Sequence, residues 1–193
     1  MSRTRLYVCS ALAAVGAALL VALGGCGGSA DARASGPFAW LTPGSSPIGW
    51  NVARARGGAT LAYPPGWTPI KSDPGTASLA LLGDGARIDG YLNVTPRQGD
   101  ETLADWSRFR PKHNKAEGDR GVRVLARTND ARFRSARGAC VIDTYATSKA
   151  SYREIACLVS GPGSSAVVVA AAPRALWDQH AAALQRAVSS FVA

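Results

Sequence analysis

The stretch CVIDTYATSKASYREIACLV, from Cys140 to Val159, holds two runs rich in β-branched and aromatic residues, Cys140 to Ala146 and Tyr152 to Val159. Between them Thr147 to Ala150 is short and polar, which is the composition of a hairpin loop. Folding the two runs about that loop sets Cys140 opposite Cys157, and opposed residues of an antiparallel pair lie within disulfide reach. The same register sets Asp143 opposite Glu154. Closing so short a loop with a disulfide contributes about 3 kcal/mol in the chain-entropy picture. A redox-active or metal-binding role for the two thiols lacks support, since neither a C-x-x-C spacing nor a ligand-like neighbour of His113 or His180 accompanies them.

Strand signals continue on both sides of this hairpin. Upstream, Trp50 to Ala55 and Thr60 to Tyr63 alternate around Gly57-Gly58, and Pro64-Pro65-Gly66 stops the second run before Trp67 to Ile70 resumes it. Thr76 to Leu82 and Arg87 to Thr95 form the next two strands, the second with Ile88, Leu92 and Val94 on one side and Asp89, Asn93 and Thr95 on the other. A change of period then predicts a helix capped by Asp100, with Leu103, Trp106 and Phe109 on one face and Pro111 as its end. Residues 112–120 read as a charged loop, and strands return at Val122 to Thr128 and Ala131 to Arg137. After the cysteine hairpin, the unbroken apolar run Ala166 to Ala172 suits a strand covered on both sides. Pro173 opens a last helix in which Trp177, Ala181, Leu184, Val188 and Phe191 make an apolar stripe. The expected class is α+β, an antiparallel sheet packed by few helices, in one domain over residues 50–193.

The N-terminus carries an address. Arg3 and Arg5 precede Leu6 to Leu23, which contains no charged residue, and the block ends in Leu23-Gly24-Gly25-Cys26. An apolar block that runs into small residues favours a cleaved export signal over an uncleaved span. Leu23 to Cys26 resembles the lipobox of bacterial lipoproteins, in which the cysteine is lipidated and becomes the mature N-terminus. That resemblance implies a signal peptide over residues 1–25, a lipidated tether over 26–49 and a domain held at the extracytoplasmic face of the cell membrane. Each buried methylene contributes about 0.8 kcal/mol, so a diacylglycerol on Cys26 anchors by itself. Gly27 to Gly36 is flexible in composition, whereas Phe38, Trp40 and Leu41 are dense enough to pack on the domain edge or to dip into the bilayer interface.

The chain has a formal charge of +9, of which the signal removes Arg3 and Arg5 and no acid. Only four of the 22 basic residues are lysine, a bias that suits a GC-rich genome as well as a function. Arg123, Arg127, Arg132 and Arg134 are expected to line one basic stripe toward an anionic lipid or envelope polymer. Nucleic acid is not expected as a partner outside the cell. Asp143 and Glu154, opposed across the hairpin, repel one another unless a proton, an arginine or a cation intervenes. The expectation is an exposed face with arginines nearby; the alternative is an envelope hydrolase using the two carboxylates. No G-x-S-x-G, H-E-x-x-H, Walker or dinucleotide motif is present, so the sequence points to neither a cofactor nor a metal.

The order of elements also resembles a known family. A strand entering the Y-P-P-G-W turn at Tyr63 to Trp67, meandering strands, a Trp-containing helix, a second antiparallel group and a closing helix ending at Ser190-Phe191 look like the PsbP-like fold. That fold includes the extrinsic photosystem II protein and actinobacterial lipoproteins of the LpqN type. The resemblance covers residues 50–193 and implies a non-catalytic binding or accessory module that works beside an envelope protein, lipid or polymer.

Overall fold

The computed structural model describes residues 36–193. The expected lipidation at Cys26 and the signal peptide before it lie outside these residues. Nine strands and two helices follow one another as β1 (Asn51–Arg54), β2 (Thr60–Tyr63), β3 (Thr68–Ile70), β4 (Ala77–Leu82), β5 (Ile88–Pro96), α1 (Trp106–Ala116), β6 (Arg120–Phe133), β7 (Ala136–Ala146), β8 (Ser151–Ser160), β9 (Ser165–Pro173) and α2 (Trp177–Ser189). Strands β3 to β9 make one antiparallel sheet in the order β3-β4-β5-β9-β8-β7-β6, while β1 and β2 form a separate hairpin. The fold is therefore α+β, as the run of antiparallel strands with two helices leads one to expect.

The Tyr63-Pro-Pro-Gly-Trp67 turn carries the chain from the small hairpin into the main sheet rather than continuing one strand. β2 pairs with β1, and β3 pairs with β4. Gly66 takes a φ of +85°, a conformation that costs glycine little. Trp67 then lies against Gly90 of β5, where an added Cβ would come within 2.6 Å of the indole.

β9 is the central strand, and its apolar run is buried on both faces, with Val168 and Ala170 on one side and Val169 and Ala171 on the other. On one face α2 sets Trp177, Leu184 and Val188, and the residue Phe191 just after it, into a core with Leu92, Val94, Ile142, Ile155 and the cysteine pair. Cys140 and Cys157 are fully buried there, opposed in the β7–β8 register, and joined with their Cα atoms 4.1 Å apart. Phe38, Trp40 and Leu41 pack against the edge of this core, and Ser189 donates a hydrogen bond to the Trp40 carbonyl at 3.4 Å. The opposite face meets α1, whose Trp106 is 1 % exposed and donates its indole N–H to the Ala156 carbonyl at 3.0 Å.

Three local expectations are corrected. Asp100 does not cap α1; the helix starts at Trp106, after a turn in which Thr102 and Asp105 hydrogen-bond one another. Pro111 sits inside the helix, which runs on to Ala116 through part of the expected charged loop. An interior proline costs roughly 3 kcal/mol, and burial of Trp106 together with two side-chain contacts beyond the first turn offsets it. Finally, residues 120–133 form one long strand with bulges, and Arg134 lies in the turn after it.

Candidate functional site

Side chains along β7 and β8 alternate between the two helices. Val141, Asp143 and Tyr145 of β7 and Glu154, Ala156 and Leu158 of β8 therefore point to the α1 face, where Val141, Ala156 and Leu158 pack around Trp106. Asp143 and Glu154 are opposed in the ladder, as the cysteine register requires, but the expected exposed face is wrong: each is 1 % exposed. Burying two carboxylates side by side demands partners. Glu154 gets them from α1 and β7: Arg110 Nε donates to Oε1 at 2.7 Å, Arg110 Nη2 to Oε2 at 2.8 Å, and the Tyr145 hydroxyl to Oε2 at 3.2 Å.

Asp143 is served less well. Asn114 Nδ2, one helical turn beyond Arg110, donates to Oδ2 at 3.4 Å, and Oδ1 has no hydrogen-bond partner among the described residues. Burial, with the Glu154 carboxylate next to it, pushes Asp143 up to about 7. Burial likewise opposes the charge on Arg110, but the Glu154 carboxylate outweighs it and holds the guanidinium above its ordinary value. Tyr145 is raised by burial and then by Glu154, so its hydroxyl stays a donor.

This ion pair closes one end of a cavity of about 450 Å³ between α1 and strands β4, β5, β8 and β9. Its floor is a chain of small polar groups on the faces of β4 and β5 that the alternation of β5 turns away from the α2 core. Asn93 Nδ2 donates to Ser78 Oγ at 2.9 Å, Thr95 Oγ1 to Asn93 Oδ1 at 2.8 Å, and Thr76 Oγ1 to Thr95 Oγ1 at 3.3 Å. Tyr91 and Ser78 share a contact of 3.4 Å. Along the helix side Trp106, Phe109 and His113 stack in series at 5.8 and 5.7 Å between ring centroids. Hydroxyls and an amide each keep further hydrogen-bonding capacity beyond these contacts. The cavity thus offers a polar floor and an aromatic wall, while its Glu154 carboxylate is already engaged. Asp143 does not line it.

Sequence reasoning placed none of Arg110, His113, Asn114, Ser78 and Asn93 at a shared site. The available signal was the spacing of Trp106, Arg110 and Asn114, which share one helix face only if the helix continues past Pro111. The four arginines expected in one stripe are all exposed, but they do not share one face. Leu125 is an extra residue between Val124 and Ala126, so Arg123 pairs with Thr144 and Arg127 with Val141, which point to opposite sides of β7. Arg132 pairs with Arg137, itself bound to Asp130 at 2.7 Å. Among the described residues no three His, Cys, Asp or Glu side chains are grouped as metal ligands, and no helix is long and apolar enough to cross a membrane.

No family model matches the sequence, and no curated protein does. Solved structures do match. A Pseudomonas aeruginosa protein of unknown function, PA94, is 15 % identical with a TM-score of 0.50, the alignment covering 75 % of this chain and 96 % of that one. The solution structure of cyanobacterial PsbP (CyanoP) from Synechocystis sp. PCC 6803 is 20 % identical with a TM-score of 0.54, covering 78 % of this chain and 96 % of its own. The chain has a PsbP-like fold.

Proposed function

We propose that this chain is a lipoprotein exported from a bacterial cell and anchored through Cys26, with a domain at the extracytoplasmic face that binds a ligand without transforming it. The lipobox-like Leu23-Gly24-Gly25-Cys26 supports the anchor, and its combination with a PsbP-like domain supports a likeness to lipoproteins of the LpqN type. The observation that carries the binding role is the cavity beneath α1, whose lining combines hydroxyls, the amides of Asn93 and Gln98 and aromatic rings with the charged Lys71, Asp73 and Glu101 at its edge. A hydrolase of the two-carboxylate kind needs both acids at the substrate. Here Arg110 occupies both oxygens of Glu154, and Asp143 is buried behind it. Binding is what such a surface does best.

The test places a photo-crosslinking residue at Gln98, on the cavity wall, in the full chain expressed in its own cell, and a second at the exposed Val52 of β1, away from that wall. A cell-envelope adduct formed from Gln98 and absent from Val52 is the expected result. Turnover of envelope polysaccharide that disappears in Asp143→Asn and Glu154→Gln would overturn the reading.

A further inference from the structure

A second site lies on the other face of the sheet. Arg123 of β6, Thr144 of β7, Arg153 of β8 and Ala172 of β9 form one cross-strand row, each paired with the next. Adjacent strands are about 4.8 Å apart, so the backbones of Arg123 and Arg153 stand roughly 10 Å apart with the Thr144 hydroxyl between them. Two residues beyond Ala172 the chain turns over this row and adds Arg174. The three arginines, Thr144, Trp177 and Asp178 line a pocket of about 330 Å³.

Three arginines against Asp178 leave the pocket with a net positive charge. None of the three guanidinium groups is within salt-bridge distance of a carboxylate among the described residues, in contrast to Arg87, Arg108, Arg110 and Arg137. Arg153 is fixed in place by its stacking on Trp177, 4.7 Å from guanidinium carbon to ring centroid, and its Nε is buried with no hydrogen-bond partner among the described residues. Like charges gathered two strands apart repel. A tetrahedral oxyanion relieves that repulsion and matches the donor forks of guanidinium groups, which bind phosphate oxygens in pairs.

We infer that Arg123, Arg153 and Arg174, gathered over Thr144 on the α2 face, form a binding site for a phosphate group. The site is separated by the sheet from the cavity under α1 and does not depend on that cavity's role. A phosphate can arrive on a lipid head group or on a soluble compound, and the experiment separates the two. Inorganic phosphate is titrated calorimetrically into the detergent-solubilised full chain at constant ionic strength, and flotation compares vesicles of phosphatidylglycerol with vesicles of phosphatidylcholine. The expected result is stoichiometric phosphate binding that Arg123→Gln with Arg174→Gln weakens about tenfold or more. Arg127→Gln with Arg132→Gln removes the same charge from the same edge of the sheet and is expected to change affinity by less than about twofold. Extra recruitment to phosphatidylglycerol that the first double variant abolishes assigns the site to lipid head groups. Triad-dependent calorimetry without such recruitment assigns it to a soluble phosphate compound. Equal losses in both double variants, or no phosphate binding by the wild-type chain, overturn the inference.

Discussion

Asp143→Asn should stabilise this protein above pH 7 and have no such benefit in acid. The wild-type side chain is 1 % exposed, one oxygen lacks a partner among the described residues, the other accepts a long bond from Asn114, and the Glu154 carboxylate stands across the ladder. Its folded-state value of about 7 is raised above that of the unfolded chain, so the folded protein holds the proton more tightly. The sign follows from linkage: proton binding at Asp143 adds stability in full below the unfolded value near pH 4, and that stability is lost as pH rises through about 7. The whole difference is on the order of 4 kcal/mol, at 1.36 kcal/mol for each tenfold change in proton affinity. Asparagine keeps the shape and cannot ionise. Urea unfolding of wild type and Asp143→Asn at half-unit steps from pH 4 to 8.5 reads the difference directly. The variant should gain on wild type steadily as pH rises from 4, with the gap levelling off above 7. A difference that does not change with pH would refute the assignment of a proton to this carboxyl, and a variant that loses ground toward alkaline pH would refute its direction.

Arg110→Met leaves Glu154 buried without its cation and short of two hydrogen bonds, and should cost about 3–5 kcal/mol in urea unfolding, most of which Arg110→Met with Glu154→Leu restores. Replacing Cys140 and Cys157 by alanine opens a link of 17 residues and should cost about 3 kcal/mol, read as a lower Tm under oxidising conditions and a smaller loss, from the two missing core sulfur atoms, against reduced wild type. Gly138→Ala forces a Cβ to within 2.6 Å of the Phe133 ring and 3.0 Å of the Leu158 carbonyl, and should destabilise by about 1–3 kcal/mol in the same assay. Cys26→Ser should move the chain out of the membrane fraction on cell fractionation and leave the Tm of the domain unchanged.

The cysteine hairpin was legible because its information is local. A polar loop of four residues fixes the register, and every pair from Arg137–Ser160 to Ala146–Ser151 follows from it. The stripe from Trp177 to Phe191 was legible for the same reason, since apolar side chains need only a sheet to cover, whichever sheet it is. The arginine stripe failed because alternation counts residues and cannot see an insertion: the extra residue at Leu125 puts Arg127 on the opposite face from Arg123, and a second irregularity between Thr128 and Ala131 exchanges the faces again.

Pro111 misled for a different reason, and the difference bears on where function sits. A proline in the second turn of a helix is a sound stop signal while only neighbours along the chain are considered. What overrides it is Glu154, 44 residues from the Arg110 that binds it, and Asp143, which accepts from Asn114. Polar burial has to be satisfied by specific partners, and those partners are distant in sequence, whereas apolar burial is satisfied by almost any neighbour. One sheet face here is closed by a helix with an apolar stripe and could be foreseen; the other is closed by a helix that brings Arg110 and Asn114 to two buried acids. On that second face the cavity lies between α1 and the polar floor of Ser78, Asn93 and Thr95, with the Arg110–Glu154 ion pair in its lining. The same long-range pairing that hid the site from the sequence therefore forms part of its wall.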